Sequence, residues 1–281
     1  MRAAQIIGLA VLTLAGTAPA QADWRIDAET GALYDSNLSN SDKDSDVKDD
    51  WDWRSHLRIG NGFQLTRDLR LNLGADLDAD QWARFHDFNN VAPGGTLSLR
   101  YRFGLGREAP WLLVGDSLGY AFYNDDGRSG RDNSLRVAGG FGFCERFSLE
   151  ADYTFDDFDA KEEFWDSSAH SGTIRLTCNV TSTLQLGLAY TYRDGVFVSY
   201  ALPPRPDIVF FQPERELVDT FGTPQYTAYR LRGPTNAVSV SGSYTLNRYM
   251  SIQVSYEFRH TSHDSLEYVN HLVEAKIGFA Y

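Results

Sequence analysis

No run of eighteen consecutive apolar residues occurs anywhere in this 281-residue chain, which excludes a bundle of membrane-spanning helices. Cysteine is nearly missing as well. Cys144 and Cys178 permit one disulfide and nothing richer. Basic charge is in short supply: 26 Lys and Arg stand against 38 Asp and Glu, a formal net charge of −12. That balance excludes the basic stripe a nucleic-acid partner requires. Nine prolines are unevenly spread, six of them between residues 201 and 234, so most of the chain is free to form long regular elements.

Aromatic residues are what the chain has in plenty: 17 Phe, 15 Tyr and 6 Trp, in a sequence whose mean hydropathy is nevertheless −0.37. Apolar and polar residues must therefore interleave. Arg2, the apolar stretch from Ile6 to Ala15 and the small residues before Asp23 read as a signal peptide over 1–22. Residues 23–281 are then expected to form one large β-domain.

The last residues set the pattern. Val273, Ala275, Ile277, Phe279 and Tyr281 share one face of a strand, and Glu274, Lys276, Gly278 and Ala280 the other. A period of two recurs around Leu135, Phe147, Leu184, Val238 and Met250, each time over about ten residues, the length of a tilted membrane strand. Strands are expected near 24–36, 51–65, 69–84, 95–105, 111–123, 134–144, 147–158, 170–180, 184–199, 235–247, 249–261 and 267–281. The links between them alternate between short turns and longer, often acidic loops. The expectation is an all-β fold: a transmembrane, antiparallel, up-and-down β-barrel of about twelve strands, with ten or fourteen left open because Trp111–Tyr123 has no clean alternation. Both termini then lie in the periplasm of a Gram-negative bacterium. Trp51, Trp53, Tyr34 and Tyr192 are expected in an outer aromatic girdle, and Phe103, Trp111, Phe143, Phe147 and Tyr281 in a periplasmic one.

Tyr34-Asp35-Ser36-Asn37-Leu38, closing the first strand, resembles the opening segment of putative β-barrel porins and of barrels linked to exopolysaccharide export. The resemblance is confined to this motif and to the barrel pattern. The final strand resembles those that outer-membrane barrels present to their assembly machinery, which implies that machinery as a partner through Phe279 and Tyr281.

Alternation turns Arg54, Arg58, Asp76, Arg100, Arg102, Asp152, Arg175, Glu257, Arg259, Glu274 and Lys276 toward the lumen. They form a charge ladder that either selects small polar solutes or neutralises itself across strands. Arg58, Asp76 and Arg100 are expected at one height, and so are Asp152 and Arg175. Ile208, Val209, Phe210 and Phe211, an apolar island in the proline-rich segment, are expected to cap the mouth. Cys144 and Cys178 end strands separated by one other, so a bridge between them needs bending at the turns. Asp42, Asp44 and Asp46 lack the glycine and glutamate of a calcium loop, and no metal or cofactor is expected. His260-Thr261-Ser262-His263-Asp264-Ser265 raises a lipid-modifying hydrolase, a reading weakened because adjacent loop residues rarely meet as nucleophile and base. A small-solute channel, or an accessory of envelope or polysaccharide export, is the leading expectation, with outer-membrane lipid and lipopolysaccharide around it. A structural barrel with a plugged lumen is the rival.

Overall fold

The computed structural model describes residues 22–281, apart from 107, 204, 207, 209–214, 223–224 and 265. The proposed signal peptide lies almost wholly outside the described residues. Twelve long strands close into a ring: β1 (Ala22–Asp35), β2 (Asp50–Gln64), β3 (Leu69–Trp82), β4 (Asn90–Arg102), β5 (Trp111–Tyr123), β6 (Gly130–Gly142), β7 (Phe147–Ala160), β8 (Ser167–Asn179), β9 (Leu184–Ala201), β11 (Tyr226–Thr245), β12 (Met250–His263) and β13 (Leu266–Ala280). Each pairs antiparallel with its neighbours; β9 pairs with β11, and β13 with β1. A thirteenth strand, β10 (Arg215–Val218), bonds to β11 and, among the described residues, to no other strand.

Period-two patterning decides which way the side chains point. Leu57, Ile59, Leu77, Leu97, Leu188, Val240, Val254 and Ile277 are exposed on the outer wall, where lipid takes the place of a protein core. Charged and small polar residues alternate with them on the inner wall. The expected strands agree with the structure to within a few residues, except where proline interrupts the pattern. β4 begins at Asn90, before Pro93, and the ladder to β5 skips Ala92 and Pro93. β11 begins nine residues before 235, and its Pro234 sits where pairing to β12 stops at Thr235. A proline costs no ladder bond at such an edge.

That early start changes the shape of the long-loop end. β8 leaves β9 after the Ala169–Gly195 pair. Residues 196–201 of β9 and 226–234 of β11 therefore rise above both flanking strands, joined by β10 on the far edge of β11. The free edge of β9 is covered by the β1–β2 loop, residues 36–49: Tyr200 N–H donates to the Ser39 carbonyl at 2.8 Å, and Asn40 Nδ2 to the Val198 carbonyl at 3.1 Å. β1 is four places from β9 around the ring. The loop must cross the mouth to make these bonds.

The disulfide left open and one girdle position are decided by the strand order. Cys144 and Cys178 stand as free thiols, because β7 lies between their strands: Cys178 sits opposite Phe147, and Cys144 is exposed in the β6–β7 turn. Trp111 turns into the barrel rather than joining a girdle, and its ring stacks under the Arg100 guanidinium at 4.5 Å. Phe103, Phe143, Phe147 and Tyr281 are exposed as expected.

Candidate functional site

Three loops at the long-loop end are built alike. Single 3₁₀ turns at His86–Phe88, Asp126–Arg128 and Glu163–Trp165 each present their third residue. The residue after each turn ties it back to the strand before: Asn89 accepts from Trp82 N–H at 2.7 Å, Ser129 from Tyr123 N–H at 2.9 Å, and Asp166 from Ala160 N–H at 2.7 Å. Buried Asp50 fixes the first loop further, accepting from the N–H groups of Arg84 and Phe85 at 3.0 and 3.1 Å.

Phe88, Arg128 and Trp165 converge on Tyr200 of the raised β9. Phe88 and Tyr200 have ring centroids 6.0 Å apart, although β3 and β9 are six places apart by either route around the ring. Phe85 meets Phe221 at 4.7 Å. The Arg128 guanidinium lies 3.9 Å from the Trp165 ring and 4.6 Å from Phe88, and donates to Tyr200 Oη and Asp125 at 3.0 Å each. Burial alone would pull its pKa down; Tyr200 and Asp125 outweigh that and hold it above the ordinary value. These contacts cap the mouth.

On the opposite face of the raised hairpin, Ile208 is buried with Ala201, Tyr229, Leu231 and Tyr268. Ile208 thus packs against the raised hairpin, while Val209, Phe210 and Phe211 lie outside the described residues. Asp42 belongs to the same cap, paired with buried Arg205 at 2.8 Å, and Asp46 accepts from Leu202 N–H at 3.0 Å. Below, Leu33, Trp82 and Leu272 pack inward with Leu38 and Phe88.

Beneath this apolar layer the lumen is lined with charge. Arg54 meets Asp52 at 2.6 Å and Asp80 at 3.7 Å; His56 meets Asp78 at 2.6 Å; Lys276 meets Glu29 at 2.8 Å. Across the barrel Arg136 joins Glu150 at 2.8 Å and Asp152 at 3.4 Å, and Arg175 reaches Glu150 at 3.7 Å. Glu257 pairs with Arg259 on its own strand. The proposed ladder is therefore inward-facing but its rungs differ. Arg58 does pair with Asp76, at 3.3 Å. Arg100 is not their neighbour: Asp76 faces Gly94, and Arg100 faces Arg70, six residues nearer the short turns, with Arg102 beyond it. Arg175 faces Glu150 rather than Asp152. Glu274 lines the same cavity as Lys276, whose partner is Glu29.

Two features were missed. Arg128 carries no periodic signal, being in a loop. Asp116 lies on the outer, lipid-facing wall between Val114 and Leu118, with Leu97 and Leu135 beside it. The Asn133 amide donates to it at 3.2 Å. This acid on the outer face, together with Trp111 and Leu113 on the inner one, breaks the alternation of β5. The motif expected in an outer loop instead ends β12: His263 Nδ1 bonds the Arg232 carbonyl at 2.7 Å and His260 approaches Glu267 of β13 at 3.7 Å; Ser265 lies outside the described residues.

No protein-family model and no curated protein matches the chain. Among solved structures, an outer membrane channel from Pseudomonas putida F1 superposes with a TM-score of 0.58 at 14% identity, over 94% of this chain and 97% of that one. The fold is that of a porin-like transmembrane barrel. Looser similarities are to the NanC porin (TM-score 0.47, 10% identity, 90% and 98% of the two chains) and to the KdgM porin in complex with disordered oligogalacturonate (0.47, 10%, 92% and 99%).

Proposed function

We propose that the chain is a capped outer-membrane channel for small polar or anionic solutes, its short turns and both termini periplasmic and its cap facing outward. The supporting observation is the lumen itself, charged on its inner wall and apolar outside, with cavities of about 350–400 Å³ that suit sugar- or organic-acid-sized solutes. Phe279 and Tyr281, exposed at the end of β13, are the proposed contact for the assembly machinery. An accessory role in envelope or polysaccharide export rests on Tyr34–Leu38. Here that segment starts the cap loop, where Asp35 and Asn37 are engaged by Asn270 Nδ2 at 3.1 and 2.7 Å.

The cross-mouth contacts favour a second reading, a plugged structural barrel. Planar-bilayer recording separates the two. A channel conducts, at least once its cap is weakened; a plugged barrel stays silent in both the parent and a cap-weakened variant.

A further inference from the structure

Resting on the channel reading, we infer that Arg70 and Arg100 form an oxyanion subsite at the short-turn end of the lumen. It would take small solutes that carry a carboxylate or phosphate beside hydroxyl groups.

Arg70 on β3 and Arg100 on β4 are direct cross-strand partners on the inner wall. Like charges so placed repel, and a sheet keeps them only where something else gains. Two other arginines that line this cavity are neutralised: Arg58 has Asp76 at 3.3 Å, and Arg25 has Asp27 at 2.8 Å. Arg70 and Arg100 have no carboxylate partner among the described residues, and the Nε atom of each is shielded from solvent without a protein acceptor. Glu150, the acid across the lumen, is already held by Arg136 and Arg175. In a chain of net charge −12, the cavity between them is lined by four arginines, Arg25, Arg58, Arg70 and Arg100, of which Asp27 and Asp76 pair only the first two.

Both side chains are positioned. The Trp111 ring lies 4.5 Å from the Arg100 guanidinium and fixes its plane, which leaves the edge of the fork for a ligand. Gly62 makes room for Arg70, because a Cβ there would collide with its guanidinium. A cavity of about 390 Å³ opens between the two arginines. One pair further in, Asn72 Nδ2 donates to Ser98 Oγ at 3.2 Å, so the Ser98 hydroxyl proton is left for a solute hydroxyl. Arg70, held over Gly62 of β2, and Arg100, held over Trp111 of β5, flank the same cavity from its two sides. A solute with an oxyanion, which accepts paired N–H bonds from a guanidinium, suits such a cavity better than a halide.

The test is calorimetric titration of the full chain in detergent with sodium gluconate and with sodium phosphate, against a sodium chloride background. At least one anion should bind. Arg70→Gln and Arg100→Gln should each weaken it on the order of tenfold or more, and Arg25→Gln, whose charge Asp27 already neutralises, far less. Binding of gluconate alone assigns a carboxylate site, and of phosphate alone a phosphate site. No binding of either, or equal affinity in parent and variants, overturns the proposal. Removing one of two opposed like charges should also leave heat-modifiable gel mobility intact. A variant that no longer folds would reveal an internal partner and overturn it too. Conductance is scored separately, in the parent and in a cap-weakened variant: anion binding with no current from either removes the channel reading and leaves the subsite, and current without binding does the reverse.

Discussion

Arg128→Ala is the substitution with the most legible consequence, because one buried side chain joins three walls of the mouth. Its bonds to Asp125 and Tyr200 are charge-assisted, and each is worth about 1.5–3 kcal/mol. The desolvated contact with Trp165 contributes about 2 kcal/mol more. Burying the guanidinium costs several kcal/mol in return, so the net loss on truncation is about 2–3 kcal/mol. All of it falls on the cap and none on the ladders of the ring. A shift of that size moves a closed–open equilibrium by about 30- to 150-fold toward open. Single-channel recording should show longer or more frequent openings at the parent's unitary conductance, with unchanged heat-modifiable mobility. Limited proteolysis should cut the variant faster within 124–129 and 202–225. Arg128→Lys keeps the charge without the planar stack and should fall between the two. Parent-like gating together with parent-like protease resistance would refute the assignment of Arg128 as the hub of the cap.

Further expectations concern the wall and the lumen. Asp116→Leu removes an acid from among lipid-facing leucines and should raise stability in vesicle-based urea unfolding by about 1–2 kcal/mol; a loss would show that its bond to Asn133 outweighs the cost of an acid in lipid. Ile252→Arg, on the same outer surface, should cost about 2–4 kcal/mol, whereas Ser255→Ala, facing Glu274 inside, should be nearly neutral. Asp76→Asn leaves Arg58 without its carboxylate, so reversal potentials in a cap-opened background should move toward anions while stability falls by about 1 kcal/mol. An unmoved reversal potential would mean that solutes do not pass Arg58.

The ring was legible in the sequence because lipid outside and water inside impose a period of two that little else produces. The inward direction of Arg54, Asp152 or Lys276 followed from parity alone. Their pairings did not, because parity says nothing about register. Arg100 was set beside Asp76 by counting from approximate strand ends, and with β4 starting at Asn90 it falls opposite Arg70 instead. The cap was legible only in part. Ile208 stood out as an apolar residue among prolines, but the residues that bridge the mouth lie in short loops with no periodicity. A signal was present all the same: Phe88-Asn89, Arg128-Ser129 and Trp165-Asp166 each place a large side chain before a small hydrogen-bond acceptor, just ahead of the next strand. Only the folded loops show those side chains meeting.

The charge left on the loops bears on how such a pore would select. Loops 36–49, 83–89, 124–129 and 161–166 together hold ten acidic and five basic residues, many of them at the surface. An anion approaching from that side meets a repulsive field before it reaches the arginines at the far end of the lumen. The two effects differ in range. Repulsion from the loops acts through solvent and fades as the Debye length falls from about 10 Å at 0.1 M salt to about 3 Å at 1 M. Bonds to Arg70 and Arg100 act at contact, inside the wall, and are screened far less. In a cap-opened variant, the preference for anions should therefore grow with salt, the reverse of a pore whose selectivity comes from exposed charge. Reversal potentials under a fixed concentration ratio, at low and high mean salt, read this directly. A preference that shrinks as salt rises would place the selecting charge on the loops and not in the lumen.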